Sequence, residues 1–200
     1  MRELLHGRLD RDAYCALLRN LHAIYAALES ALVRNAAHPA VAAVALPGLE
    51  RRAALAADLG TLHGERWANA IGLAAATADY VRRVDDLAAH RPELLPAHAY
   101  VRYLGDLNGG RILRRIVARS FGLVDGAGVA FYEFGRDAGG LAARFRAGLD
   151  AVTGDAADAT GAALADALVA EAQAAFARHA GLFEELAATA PRARSQPPLA

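Results

Sequence analysis

Between residues 10 and 35 the apolar side chains fall at Tyr14, Leu17, Leu18, Leu21, Ile24, Tyr25, Leu28 and Leu32. Steps of three and four lay these residues along one side of an α-helix, and Asp10 ahead of them is placed to cap its first turn. A stripe of that length must be covered, and the rest of the chain offers only helices to cover it. No alternating apolar–polar run is long enough to build a sheet, and no period of about 20–50 residues repeats. After the proline-bearing break "HPAVAAVALPG" (38–48), the spacing predicts a short helix over "LERRAALAADL" (49–59), with "GTLHGERWANA" (60–70) as a connection. Further helices are expected over 76–90, from Pro92 to a stop at Gly122, near 138–152 and near 160–188. "DGAGVAFYEF" (125–134) reads as extended or loop-like, with Phe131, Tyr132 and Phe134 laid over the bundle. The fold class is all-α: a multi-helix bundle forming one domain over residues 1–190, with 191–200 as a frayed tail.

Charge narrows the choice of partner. Lys plus Arg and Asp plus Glu number 22 each, all the basic residues being Arg, so there is no electrostatic pull toward nucleic acid or an acidic membrane. Cys15 is alone, which excludes a disulfide framework and a paired-thiol metal site. No apolar run approaches the roughly 20 residues that span a bilayer, and "MRELLHGRLDRD" has no secretory core. The expectation is a cytoplasmic monomer with no membrane and no nucleic-acid partner.

One stretch resists a purely structural account. "YLGDLNGGRIL" (103–113) places Gly105, Gly109 and Gly110 inside a helix, where each costs about 1 kcal/mol relative to alanine. Arg102, Gly105, Asp106, Gly109 and Leu113 share one helical face, and without Cβ atoms at 105 and 109 that face is bare in its middle. A planar ligand can approach such a backbone, with the Gly-Gly step letting the helix bend around it. Packing of another helix on the small residues, with Arg102 and Asp106 as an i,i+4 pair, is the competing reading.

The segment "PELLPAHAYVRYLGDLNGGRILRR" (92–115) resembles the signature of haem oxygenases, and "GRLDRDAYCALLRNLHAIYAALESALVRN" (7–35), "RRAALAADLGTLHGERW" (51–67) and "AFARHAGLFEEL" (175–186) are similar to further segments of that family in the same order. The resemblance implies a haem-oxygenase-like bundle whose distal helix lays a glycine-rich backbone over haem. It implies O2-dependent opening of haem to biliverdin, carbon monoxide and ferrous iron, haem being both substrate and cofactor, with electrons from a separate reductase or ferredoxin. It carries Asp106 onto the family's distal aspartate and Arg102, Tyr103 and Tyr25 onto its distal hydrogen-bond network, which holds the water that delivers protons. His179 falls where relatives can have an amide. Gly105, Gly109, Gly110 and Leu113 fall on the haem face, Arg146 on a propionate-binding arginine, Tyr100 on a contact at the same edge, and Phe176 and Phe183 on aromatic wall positions. Arg144 is a weaker propionate candidate, and Ala142 stands where the family has a lysine.

Family members carry the axial histidine on a helix ahead of the stretch like "HGRLDRD", and by this likeness Met1 falls downstream of that histidine. No metal ligand is therefore assigned among His6, His22, His38, His63, His90 and His98, and apolar surface which that helix would cover is expected to be exposed. Two rival readings stand beside haem oxygenase. One is a haem-sequestering protein without turnover; the other is a ligand-free helical interaction protein. Glu-x-x-His pairs on facing helices, phosphate-binding glycine loops and "HExxH" are all absent from the sequence.

Overall fold

The computed structural model describes residues 10–153 and 159–189; the expected 191–200 tail and His6 lie outside them. In chain order the helices are α1 (Arg11–Arg34), α2 (Pro39–Ala42), α3 (Arg52–His63), α4 (Trp67–Ala70), α5 (Ala75–His90), α6 (Leu95–Ala99), α7 (Gly105–Phe121), α8 (Ala138–Thr153) and α9 (Ala159–Thr189). Short 3-10 turns fall at Pro92–Leu94 and Ala130–Tyr132, and no strand occurs among the described residues.

The stripe on α1 is the centre of the core. Tyr14, Leu18, Ile24, Tyr25 and Leu28 are fully buried, and α3 and α5 pack along the two sides of α1. Asp10 caps the helix as predicted, its Oδ1 accepting from the Ala13 N–H at 2.7 Å. Gly122 closes α7 in the left-handed region, at φ 62°.

Two expectations need correction. The 60–70 stretch is not one connection, because α3 continues through Gly60 to His63, and Gly64 at φ 100° ends it before the single turn of α4. The run from Pro92 to Gly122 is not one uniform helix either. It begins as a 3-10 turn, continues as α6, and then widens into a π turn over Tyr100–Leu104 before α7 begins at Gly105. A π turn takes up one extra residue, which offsets the faces before and after it.

Helix starts in this bundle are tied by side chains from other helices. Glu29 on α1 accepts from the backbone N–H groups of Arg51 (2.6 Å) and Arg52 (3.0 Å), and Glu185 on α9 accepts from those of Ala75 and Ala76, both at 2.8 Å. Buried Asp58 on α3 does the same for the loop, accepting from Ala130 and Phe131 N–H at 2.8 Å each. At Gly148 the backbone of α8 passes so close to the end of α2 that a Cβ would lie 1.9 Å from the Ala43 carbonyl oxygen, which makes glycine obligatory there.

Candidate active site

The π turn and the first two turns of α7 present the glycine stretch. Among the described residues a Cβ built at Gly105 or Gly109 would meet nothing within 4 Å, so neither glycine is there to admit one of the described helices. Gly110 departs from the expectation that it shares this face: its Cβ would lie 3.4 Å from the Tyr132 carbonyl oxygen, so it is a packing glycine on another side of α7.

Beside the bare backbone, large apolar side chains remain in water. Tyr100 is 38% exposed and Phe176 on α9 is 52% exposed, the two rings meeting edge to face at 6.4 Å. Ile112, one turn beyond Gly109, is 60% exposed. Sequence reading passed over Ile112, although its i+3 spacing from Gly109 was a usable signal.

At the edge of this surface lies a polar cluster drawn from three parts of the chain. Tyr25 on α1 donates its hydroxyl proton to Asp106 Oδ2 in a short hydrogen bond. Arg102, held inward by the π turn and 5% exposed, donates from Nη1 to His179 Nδ1 on α9 at 2.8 Å, and its guanidinium lies 5.7 Å from the centre of the Tyr25 ring. Phe183 holds the His179 ring edge-on at 4.6 Å. The i,i+4 spacing of Arg102 and Asp106 does not give a surface ion pair: the arginine turns inward to histidine, and the carboxylate takes its hydrogen bond from tyrosine.

Burial lifts the Asp106 carboxyl above the ordinary aspartate range, against the opposing pull of Arg102, the Tyr25 hydroxyl and Arg51. Burial also raises the Tyr25 phenol well above its usual value, reinforced by Asp106. For Arg102 burial acts against the charge, but Tyr25, Asp106 and Tyr80 outweigh it and the guanidinium stays protonated. Burial and the adjacent Arg102 push His179 down to about 3, so its ring is neutral and Nδ1 is an acceptor.

Behind this cluster a second one fastens α9. His98 is fully buried, with Nδ1 3.1 Å from the Tyr80 hydroxyl and Nε2 3.0 Å from Glu171 Oε1. Glu171 also accepts from Arg83 at 2.6 Å, and the His98 hydrogen bond, followed by Arg83, holds its carboxyl down to about 2. Sequence reading singled out neither Tyr80 nor Glu171. The other described histidines are placed elsewhere: His22 lies edge-on to Trp67, His90 bonds the Asp86 carbonyl, His38 precedes α2, and His63 borders a hollow with Gly64 and Asn69.

The remaining candidates divide. Tyr103 departs from the network expected of it: its ring packs between Tyr25 (5.6 Å) and Phe145 (6.3 Å), with no hydrogen bond to Asp106 or Arg102. Leu113 packs half-buried against the core. Arg146 is exposed and reaches Asn108 Oδ1 at 3.4 Å beside α7, whereas Arg144 is engaged by Asp137 at 3.2 Å, and Ala142 is buried. A flat, largely apolar ligand with anionic edge groups fits what is left open: bare backbone at Gly105 and Gly109, apolar walls, a half-buried carboxyl at one edge and a cation at the margin.

Comparison with known proteins identifies relatives of nearly the whole chain. A family model described as heme oxygenase matches residues 1–185. Heme oxygenase 1 of Nostoc is 39% identical over 184 residues, spanning 91% of this chain and 75% of that protein. The crystal structure of heme oxygenase-1 from the cyanobacterium Synechocystis in complex with heme is similar at a TM-score of 0.83 and 36% identity, over 92% of this chain and 81% of that one. The heme oxygenase of Leptospira interrogans is similar at a TM-score of 0.83 and 34% identity, covering 92% and 88%.

Proposed function

The chain belongs to the heme oxygenase family, and on that premise we propose that it cleaves haem with O2 to biliverdin, carbon monoxide and ferrous iron, drawing electrons from a separate reductase or ferredoxin. The observation that carries this reading is the open backbone at Gly105 and Gly109, where no described residue packs. Bound there, haem supplies the iron at which O2 is activated and the porphyrin carbon that is oxidised. The chain's own residues do the rest.

Gly105 and Gly109 let the ring approach the helix to backbone distance, and Tyr100, Ile112 and Phe176 shield its faces and edge from water. Arg146 is the cation for a propionate. Asp106, with Oδ2 occupied by Tyr25, keeps Oδ1 for a water molecule, and its raised pKa lets it exchange a proton with that water without acting as a strong acid. His179 aligns Arg102, and the Arg102 charge keeps the Asp106–Tyr25 pair from becoming fully neutral. Tyr103 and Gly110 support this arrangement by packing.

No described histidine is assigned as the axial ligand. Among the described residues no helix is long and apolar enough to cross a membrane. A cytoplasmic location and a monomeric state are part of the proposal.

The test is a hemin titration followed through the Soret band, then exposure to O2 and a chemical reductant. The expected result is a saturable one-to-one complex that yields biliverdin, with Asp106→Ala retaining uptake and losing ring opening. Saturable uptake with an intact ring would establish the sequestering reading instead, and a folded chain that takes up no hemin would refute both.

A further inference from the structure

On the side of α7 away from Gly105 and Gly109, the helix, the 132–136 loop and the start of α8 enclose a cavity of about 440 Å³. That volume lies within the range of small-molecule sites. Its rim carries Arg111, Arg114, Arg115 and Arg136 against a single carboxylate, Glu133. Glu133 is already engaged, with Oε2 3.6 Å from Arg114 Nη1 and Oε1 accepting from the Gly135 N–H at 3.2 Å. Among the described residues Arg111, Arg115 and Arg136 have no carboxylate partner, whereas Arg34, Arg82, Arg83, Arg91 and Arg144 all do. In a chain whose charges balance overall, these guanidinium groups make a local positive excess that, among the described lining residues, only Glu133 offsets.

The floor is of a different character. Leu107 and Tyr132 are buried beneath it, and Phe134 is half-buried, with the Arg51 guanidinium 4.0 Å from the ring centre. Ala138 and Gly139, in the first turn of the 16-residue α8, complete the wall; the start of that helix is already capped by Asp137, whose Oδ1 accepts from the Gly140 N–H at 3.1 Å, so the positive charge at the cavity comes from the arginines. Guanidinium groups over an apolar floor suit a ligand with oxyanions at one end and a flat body at the other.

We propose that this cavity binds a small organic anion, with a phosphate or clustered carboxylates facing Arg111, Arg115 and Arg136 and an apolar planar body resting on Leu107, Tyr132 and Phe134. The site lies on the opposite side of α7 from the haem face, so it stands or falls independently of the haem reading.

The test uses the full chain without hemin, titrated calorimetrically with pyrophosphate, ADP and adenosine at about 50 mM salt. Expected are saturable one-to-one binding of ADP, weaker binding of pyrophosphate, which has only the anionic end, and no measurable binding of adenosine, which has only the body. The doubly substituted Arg111→Ser/Arg136→Ser protein should bind ADP at least tenfold more weakly, with an unchanged circular dichroism spectrum and unchanged hemin uptake. Arg34→Ser/Arg82→Ser, which removes two arginines elsewhere, should bind like the parent. Four results would each overturn the proposal: no saturable binding of ADP or pyrophosphate; ADP no tighter than pyrophosphate; undiminished ADP binding by the Arg111/Arg136 variant; or equal loss in the Arg34/Arg82 control.

Discussion

Replacing Gly105 and Gly109 by alanine should make the ligand-free protein more stable while impairing its uptake of hemin. Gly105 has α-helical torsions (φ −61°, ψ −46°), and neither glycine is in the left-handed region, so alanine fits both without strain. The new methyl groups would meet none of the described residues within 4 Å. Each substitution removes a helix-interior glycine and should add about 0.5–1 kcal/mol, or about 1–2 kcal/mol for the pair. In a domain of this size about 1 kcal/mol moves Tm by about 2–4 °C, so the double variant should melt roughly 2–8 °C higher. The same methyl groups occupy the surface that haem must reach, and hemin affinity should fall at least tenfold, equivalent to about 1.4 kcal/mol. Thermal unfolding of the hemin-free proteins, read beside Soret titrations, measures both effects. A double variant that melts lower, or one that takes up hemin like the parent, would refute the claim that these positions are kept bare for a ligand.

Gly148→Ala should do the opposite: its Cβ would collide with the Ala43 carbonyl oxygen at 1.9 Å, and equilibrium urea unfolding should show a loss of about 3 kcal/mol. For His179, whose folded-state pKa of about 3 lies below the ordinary histidine value of 6.5, the unfolded chain takes up the proton first, so stability falls as pH drops below about 6.5; His179→Asn should make that slope shallower in urea titrations, and an unchanged slope would remove the burial of His179 as a cause. Glu171 acts in a lower window. Its folded-state pKa is held near 2 against 4.5, so its contribution is complete above about pH 4.5 and fades as pH falls toward 2, and Glu171→Gln should abolish that part of the acid transition.

The sequence was most legible where a residue's role depends on its immediate neighbours. The α1 stripe, the Asp10 cap and the Gly122 stop follow from local spacing and torsion preference, and all appear as expected. Helix starts that rely on distant partners were not legible. The starts of α3 and α5 have no local side-chain cap, because Glu29 and Glu185 supply it from other helices. In the site, a resemblance over most of the chain carried Asp106, Tyr25 and Arg102 to places the structure brings together. It could not separate Gly110 from Gly109, or Tyr103 from Tyr25, since those differences depend on which side of α7 meets Tyr132 and on where one hydroxyl finds a partner. The buried His98–Glu171 contact was equally out of reach: its members are 73 residues apart, and the resemblance, although its signature segment includes His98, assigned neither a role.

The π turn at Tyr100–Leu104 gives this pocket slack for one particular change in length. The turn takes up one extra residue, so losing one codon there would let the run settle into continuous α geometry with the elements on either side nearly in their present orientation. The contacts that cross to α9 from ahead of the turn, such as His98 with Glu171, would survive, as would the places of Gly105, Asp106 and Gly109 behind it. A one-residue gap at 100–104 in an alignment of relatives therefore marks a straightened helix carrying the same pocket, whereas the same gap inside a regular α-helix would turn one flank by about 100° against the other.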